Sequence, residues 1–241
     1  ALRLEAGTPA TQTHPRPQDW MVLHALAGLG GTLNRFAVDL RILQSPIIGE
    51  VFEPFGDKQV GSSAMPFKRN PISAEKIDSL ARYLAAMPRV AWDNAAHSLL
   101  ERTLDDSANR RLMLPQAFLI ADELLRTTMR LLRGLEFDEV AMSSNMRTFG
   151  VFTAIEPLLM ALCKAGADRQ QMHACIRDHA MRAWAAVRDG SPNRMAQELC
   201  ADTQLLRYLT ADEIDAQLQS DEHVGLAPER ARVIAQALRE N

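Results

Sequence analysis

The chain has 241 residues and a net charge of −3 with no block of like charge, which leaves nucleic acid or an anionic membrane no electrostatic footprint to bind. An apolar share of 47% and a charged share of 24% exclude a disordered or fibrous chain, and aromatics at 5% with abundant Ala and Leu predict an all-α fold. No apolar run reaches bilayer length and no basic-then-apolar signal opens the chain, while three cysteines (Cys163, Cys175, Cys200) without metal-type spacing fit reduced, buried thiols in a cytoplasmic protein.

The opening stretch, ALRLEAGTPATQTHPRP, starts without methionine and reads as the middle of a longer chain. From Asp19 to Gln44, Trp20, Leu23, Ala27, Gly30, Leu33, Ala37, Leu40 and Leu43 recur at helical spacing, predicting one long helix that Pro46 stops. Gly28, Gly30 and Gly31 weaken it unless a neighbouring helix packs close. The segment VGSSAMPFKRNPIS, residues 60–73, has neither helical nor strand periodicity. A second helix is predicted over Ala74–Leu100, with Ile77, Leu80, Leu84 and Met87 on one face and a kink at Pro88. A third is predicted over Ser107–Arg133, carrying Leu112, Phe118, Leu119, Leu125 and Leu132, with Arg130 and Arg133 in its last turn and Gly134 as its stop.

Beyond residue 137 the rhythm shortens. Asp168 with Gln171 and Thr210 with Glu213 fit helix-start pairs, and GSP at 190–192 is a turn. This places a boundary near 137, with an elongated helical bundle over 1–137 and a smaller helical domain over 138–241; no strand and no internal repeat is predicted.

Two stretches carry chemistry. In the loop 60–73, the backbone N–H groups of Ser62, Ser63, Ala64 and Met65 are free of helix or strand and, with Lys68 and Asn70, suit a carboxylate or another developing anion. Either serine would be a base or nucleophile if those donors stabilise its alkoxide, and spacing does not choose between them; no nucleophile elbow surrounds them and no histidine falls in a hydrolase pattern. In ERTLDDSANRR, residues 101–111, Ser107 and Arg111 share a helix face and Arg102 precedes the helix start, a plausible phosphate site. Asp105 and Asp106 oppose it electrostatically, so a capped helix with surface Asp–Arg pairs is an equally good reading of those residues alone.

The run GSSAMPFKRNP resembles the signature of the fumarase and aspartase superfamily, and SSAMPFKRNP followed by ERTLDDSANRR, with TQT at 11–13, is similar to its adenylosuccinate lyase family, over the C-terminal portion only. The resemblance implies a carbon–nitrogen lyase of purine biosynthesis that eliminates fumarate from adenylosuccinate to give AMP, and from succinylaminoimidazole carboxamide ribotide, without a metal or organic cofactor. It makes Ser62 the base. Lys68 and Asn70, with the N–H groups of Ser63 and Met65, would hold the succinyl carboxylates; Gln12 would contact substrate, and Arg102, Ser107 and Arg111 would bind the nucleotide and its phosphate. It also implies a general-acid histidine upstream of this stretch, so that the chain alone holds half a site, and a homotetramer whose long helices form a shared bundle. Other readings are another lyase of the superfamily, a carboxymuconate cycloisomerase, or a non-catalytic helical assembly module.

Overall fold

The computed structural model describes residues 12–56, 68–100, 104–219 and 223–240. The chain divides into two units, one ending at Asp138 and the other beginning at Glu139.

Three long helices form the first unit: α1 (Pro17–Leu43), α2 (Ile72–Ala96) and α3 (Ser107–Arg133). α1 starts two residues before the expected Asp19 because Pro17 occupies its first turn, where a missing N–H costs nothing. α2 begins at Ile72, runs through the buried Pro88 without a break and ends at Ala96, short of the expected Leu100. α3 has the predicted bounds.

The core between these helices is built from small and medium side chains. Leu23, Ala37, Ala74, Ile77, Leu84, Ala91, Ala117 and Leu124 are fully buried. Gly30 lies at the closest approach: a Cβ there would sit 3.2 Å from a Leu84 methyl and 3.7 Å from one of Leu124. Gly28 and Gly31 face open space, so only one of the three glycines serves packing.

The structure corrects the reading of α3. Its buried stripe is Met113, Ala117, Ala121, Leu124, Thr127, Thr128 and Leu131, whereas Leu112, Phe118, Leu119, Leu125 and Leu132 are exposed. α3 carries two apolar stripes, and the one of smaller residues faces inward because neighbouring helices pack close to it. Gly134 also ends the helix for a different reason than expected. Its φ of −121° is not left-handed, but a Cβ would lie 2.7 Å from Pro54 Cβ.

No strand was expected, yet two short ones are present: β1 (Val51–Phe52) and β2 (Glu136–Phe137) pair antiparallel, Val51 opposite Phe137. They fasten the segment after α1 to the segment after α3.

The second unit is built from α4 (Glu139–Asn145), a π-turn (Met146–Gly150), α5 (Val151–Thr153), α6 (Ile155–Lys164), α7 (Arg169–Arg188), α8 (Met195–Cys200), a 3₁₀ turn (Leu205–Arg207), α9 (Ala211–Leu218) and α10 (Ala227–Glu240). Leu158, Leu162, Met172, Ile176, Met195, Leu199, Leu205 and Ile214 make its core. Asp168 caps α7 by accepting from Gln171 N at 2.8 Å, and Thr210 and Glu213 form a reciprocal capping box at α9. After α7 the chain turns at Gly190, φ +77°, with Ser191 N donating back to Ala186 O at 2.9 Å. No single helix among the described residues is long and apolar enough to cross a membrane.

Candidate active site

Four of the expected site residues, Ser62, Ser63, Met65 and Arg102, lie outside the described residues. The other five stand at the ends of helices in the first unit. Gln12 is exposed five positions before α1; Lys68, exposed, and Asn70, half-buried, immediately precede α2; Ser107 opens α3 and Arg111 follows one turn later.

The exit of the signature loop is held by a carboxylate that the sequence reading missed. α2 lacks a side-chain cap of its own, because Pro71 occupies the N-cap position. Glu53, 6% exposed, supplies it: Oε2 accepts from Ser73 N at 3.0 Å and Oε1 from Ala74 N at 2.6 Å. An acid at these N–H groups also complements the positive end of the helix. Gln44 completes the clamp. Its Oε1 accepts from Glu53 N at 2.9 Å while its Nε2 donates to the Arg69 carbonyl at 3.2 Å. Arg69 itself lies over the Phe55 ring, 4.9 Å from its centroid, and 3.6 Å from Glu136. The backbone beside Lys68 and Asn70 is thus fixed through Gln44 and Glu53.

The start of α3 is organised by a charge network. Asp106, the N-cap residue, is 1% exposed. Its Oδ2 accepts from Arg16 Nε and stands 4.0 Å from Arg110 Nε. Arg110 donates to Asp19 Oδ2 at 2.6 Å, and that hydrogen bond is the main reason its pKa is raised further above the usual arginine value. Arg16 also donates to the His14 carbonyl at 3.1 Å, which ties the approach to α1 to the start of α3. Asn94 and Asn109 exchange amide hydrogen bonds of 2.7 and 2.9 Å, joining the end of α2 to the first turn of α3.

This network changes the electrostatics expected from sequence. Asp106 does not oppose an anion as a free charge, since Arg16 and Arg110 neutralise it. Arg111, by contrast, is exposed and forms no ion pair with another described residue. A helix N-terminus with Ser107 at its first position and Arg111 one turn on presents N–H groups, a hydroxyl and a guanidinium, the donor set that binds a phosphate.

A family described as adenylosuccinate lyase C-terminus matches residues 152–233, and one described as lyase matches residues 4–84. The adenylosuccinate lyase of Schistosoma mansoni is 39% identical over 193 residues, 79% of this chain and 40% of the relative. That of Schizosaccharomyces pombe is 37% identical over 91% of this chain and 45% of the relative; that of Saccharomyces cerevisiae is 36% identical over 93% and 46%. The chain therefore spans under half the length of these curated relatives. Among solved structures, the 3-carboxy-cis,cis-muconate lactonizing enzyme from Pseudomonas putida superposes with a TM-score of 0.78 at 24% identity, over 93% of this chain and 49% of that one. A fumarate lyase from a Mesorhizobium species gives 0.73 at 22% identity, over 88% and 45%. At such identity these two structures speak to the fold alone.

Proposed function

The chain belongs to the fumarase and aspartase superfamily and matches the C-terminal part of its adenylosuccinate lyases, and from that premise we propose that it supplies one side of the active site of an adenylosuccinate lyase. The whole enzyme eliminates fumarate from adenylosuccinate, leaving AMP, and performs the same cleavage on succinylaminoimidazole carboxamide ribotide. The observation that carries this reading is the start of α3, where the buried carboxylate of Asp106 is neutralised by Arg16 and Arg110 while Arg111, one turn on, is exposed.

In the proposed reaction Ser62 takes the Cβ proton of the succinyl group. The electron pair left behind spreads into the adjacent carboxylate, and its collapse breaks the Cα–N bond to release fumarate. The departing nitrogen takes its proton from an acid outside this chain. Serine is a poor base near neutral pH, so it needs donors and positive charge around it; Lys68, Asn70 and the N–H groups of Ser63 and Met65 supply them and hold the carboxylates. Gln12, Arg102, Ser107 and Arg111 hold the nucleotide.

A carboxymuconate cycloisomerase shares the fold, but its substrate has no nucleotide phosphate for the start of α3 to bind. We further propose that the enzyme is a cytoplasmic homotetramer; association between chains is supported by the exposed apolar stripe of α3, on which Leu112, Phe118 and Leu119 are 63%, 55% and 69% exposed.

In the full-length enzyme, Ser62→Ala is expected to abolish fumarate release, followed by absorbance, while nucleotide binding persists; Arg111→Ala is expected chiefly to weaken binding. An active Ser62→Ala enzyme sinks the base assignment, and unchanged KM in Arg111→Ala sinks the phosphate assignment.

A further inference from the structure

The second unit holds a cluster that the proposed chemistry does not use. Cys175 and His179 sit one turn apart on a single face of α7, and Asp202 follows α8 in the turn before the 3₁₀ segment. Their ligand atoms lie within 4.8 Å of one another. Asp202 Oδ2 is 2.8 Å from His179 Nε2 and 3.5 Å from Cys175 Sγ.

We propose that Cys175, His179 and Asp202 form a binding site for a zinc-class divalent cation, with water as the fourth ligand, that ties α7 to the turn after α8. Two of the three edges, those that Asp202 makes with Cys175 and His179, are close to what such an ion requires. Bonds of roughly 2.0 Å to N and O and 2.3 Å to S in a tetrahedron place neighbouring ligand atoms about 3.3–3.8 Å apart. The Cys175–Asp202 edge already has that length, and the His179–Asp202 edge must open by about half an ångström once the ion replaces their hydrogen bond.

The surroundings hold the ligands ready. Asp202 is fixed through Oδ1, which accepts from Gln204 N at 2.7 Å and Leu205 N at 3.4 Å, leaving Oδ2 for the ion. His179 is 8% exposed, and its Nδ1 faces Glu198 Oε2 at 3.2 Å and Arg182 Nη2 at 2.8 Å. With a cation on Nε2, Nδ1 carries the proton and donates to Glu198, the carboxylate–histidine–metal arrangement that orients an imidazole ligand. Arg182, 58% exposed at its side chain and already 3.5 Å from Glu198, then pairs with that carboxylate alone. Asp178, Glu198 and Asp202 against Arg182 leave the locality net negative, favourable to a cation. A mixed S, N and O set suits zinc, whereas magnesium and calcium take oxygen ligands.

The ion plays no part in fumarate elimination; it stabilises the folded second unit because it binds that state and not the unfolded chain. The test uses the full 241-residue chain, freed of metal by a chelator and titrated with Zn²⁺ by calorimetry and with Co²⁺ by absorption. Expected are one ion per chain, tetrahedral Co²⁺ bands with a sulfur-to-cobalt charge-transfer band, and a Tm raised by Zn²⁺. Cys175→Ser should remove the charge-transfer band, whereas Cys163→Ser and Cys200→Ser keep it, and Glu198→Gln should weaken binding about 10–100-fold. If Cys175→Ser does not fold by circular dichroism, Asp202→Asn keeps the shape and should lose binding by the same measure. No stoichiometric binding, a cobalt spectrum without sulfur ligation, or binding undiminished in these variants overturns the site and leaves a hydrogen-bonded triad only.

Discussion

Asp106 concentrates more charge in less water than any other described residue of the first unit, since its carboxylate is 1% exposed and faces two arginines. Removing one member of a buried ion network leaves its partners uncompensated, which costs more than the network contributes when intact. Asp106→Asn is therefore expected to lower stability by about 3 kcal/mol, read as a shift in denaturant midpoint, and to raise KM in the full-length enzyme through the disturbed start of α3. Of this network the sequence showed the residues but not the pairing. Arg16 and Asp106 are 90 positions apart, and no local pattern connects them. The same blindness hid Glu53, which reaches 20 positions forward to cap α2, and the Cys175–His179–Asp202 group, whose only local trace is the four-residue step from cysteine to histidine. Acid behaviour also belongs to this scale. Glu213 is held below the usual carboxylate value by the backbone N–H and hydroxyl of Thr210, and Glu123 chiefly by its hydrogen bond from Lys76. A carboxylate with a lowered folded pKa contributes stability above its unfolded value, 4.5 for glutamate, and loses it as pH falls through the folded one. Tm measured downward from pH 5 should fall, and Glu213→Gln should flatten that fall.

At the scale of the element, α3 shows what periodicity shows and what it leaves open. Its bounds were legible because Ser107 and Gly134 punctuate a continuous helical pattern. Its inner face was not, because large apolar residues recur on one stripe and small ones on the other, and close packing selects the small. Two substitutions separate the faces. Ala121→Leu, at a 5% exposed position facing the other helices, is expected to cost about 1–3 kcal/mol by overpacking. Leu119→Glu, at a position 69% exposed, should leave the folded chain near its original stability but reduce self-association in sedimentation velocity. An unchanged sedimentation profile for an associating chain would remove α3 from the subunit contact. The capping pairs at Asp168 and Thr210 were read correctly from sequence because a cap and its third-residue partner lie within one turn.

For the whole molecule, both stretches of the candidate site rest on backbone fixed from elsewhere in the chain. The Glu53 carboxylate grips the first N–H groups of α2 while its own N–H is bound to Gln44, so the intervening stretch leaves and returns to a single point. The two ends thus resemble a shackle closed on one pin. Closing a loop costs only about 0.6 kcal/mol more for each doubling of its length. Two glycines inserted after Gly56 should thus lower the unfolding free energy, measured by denaturant titration, by no more than about a few tenths of a kcal/mol, whereas Glu53→Ala, which opens the pin, should cost about 1–3 kcal/mol. What sets Lys68 and Asn70 in place is then the pin at Glu53 and Gln44 and not the span that leads to them, so a defect at the pin should reach the ligand side of the chain without any change in that span.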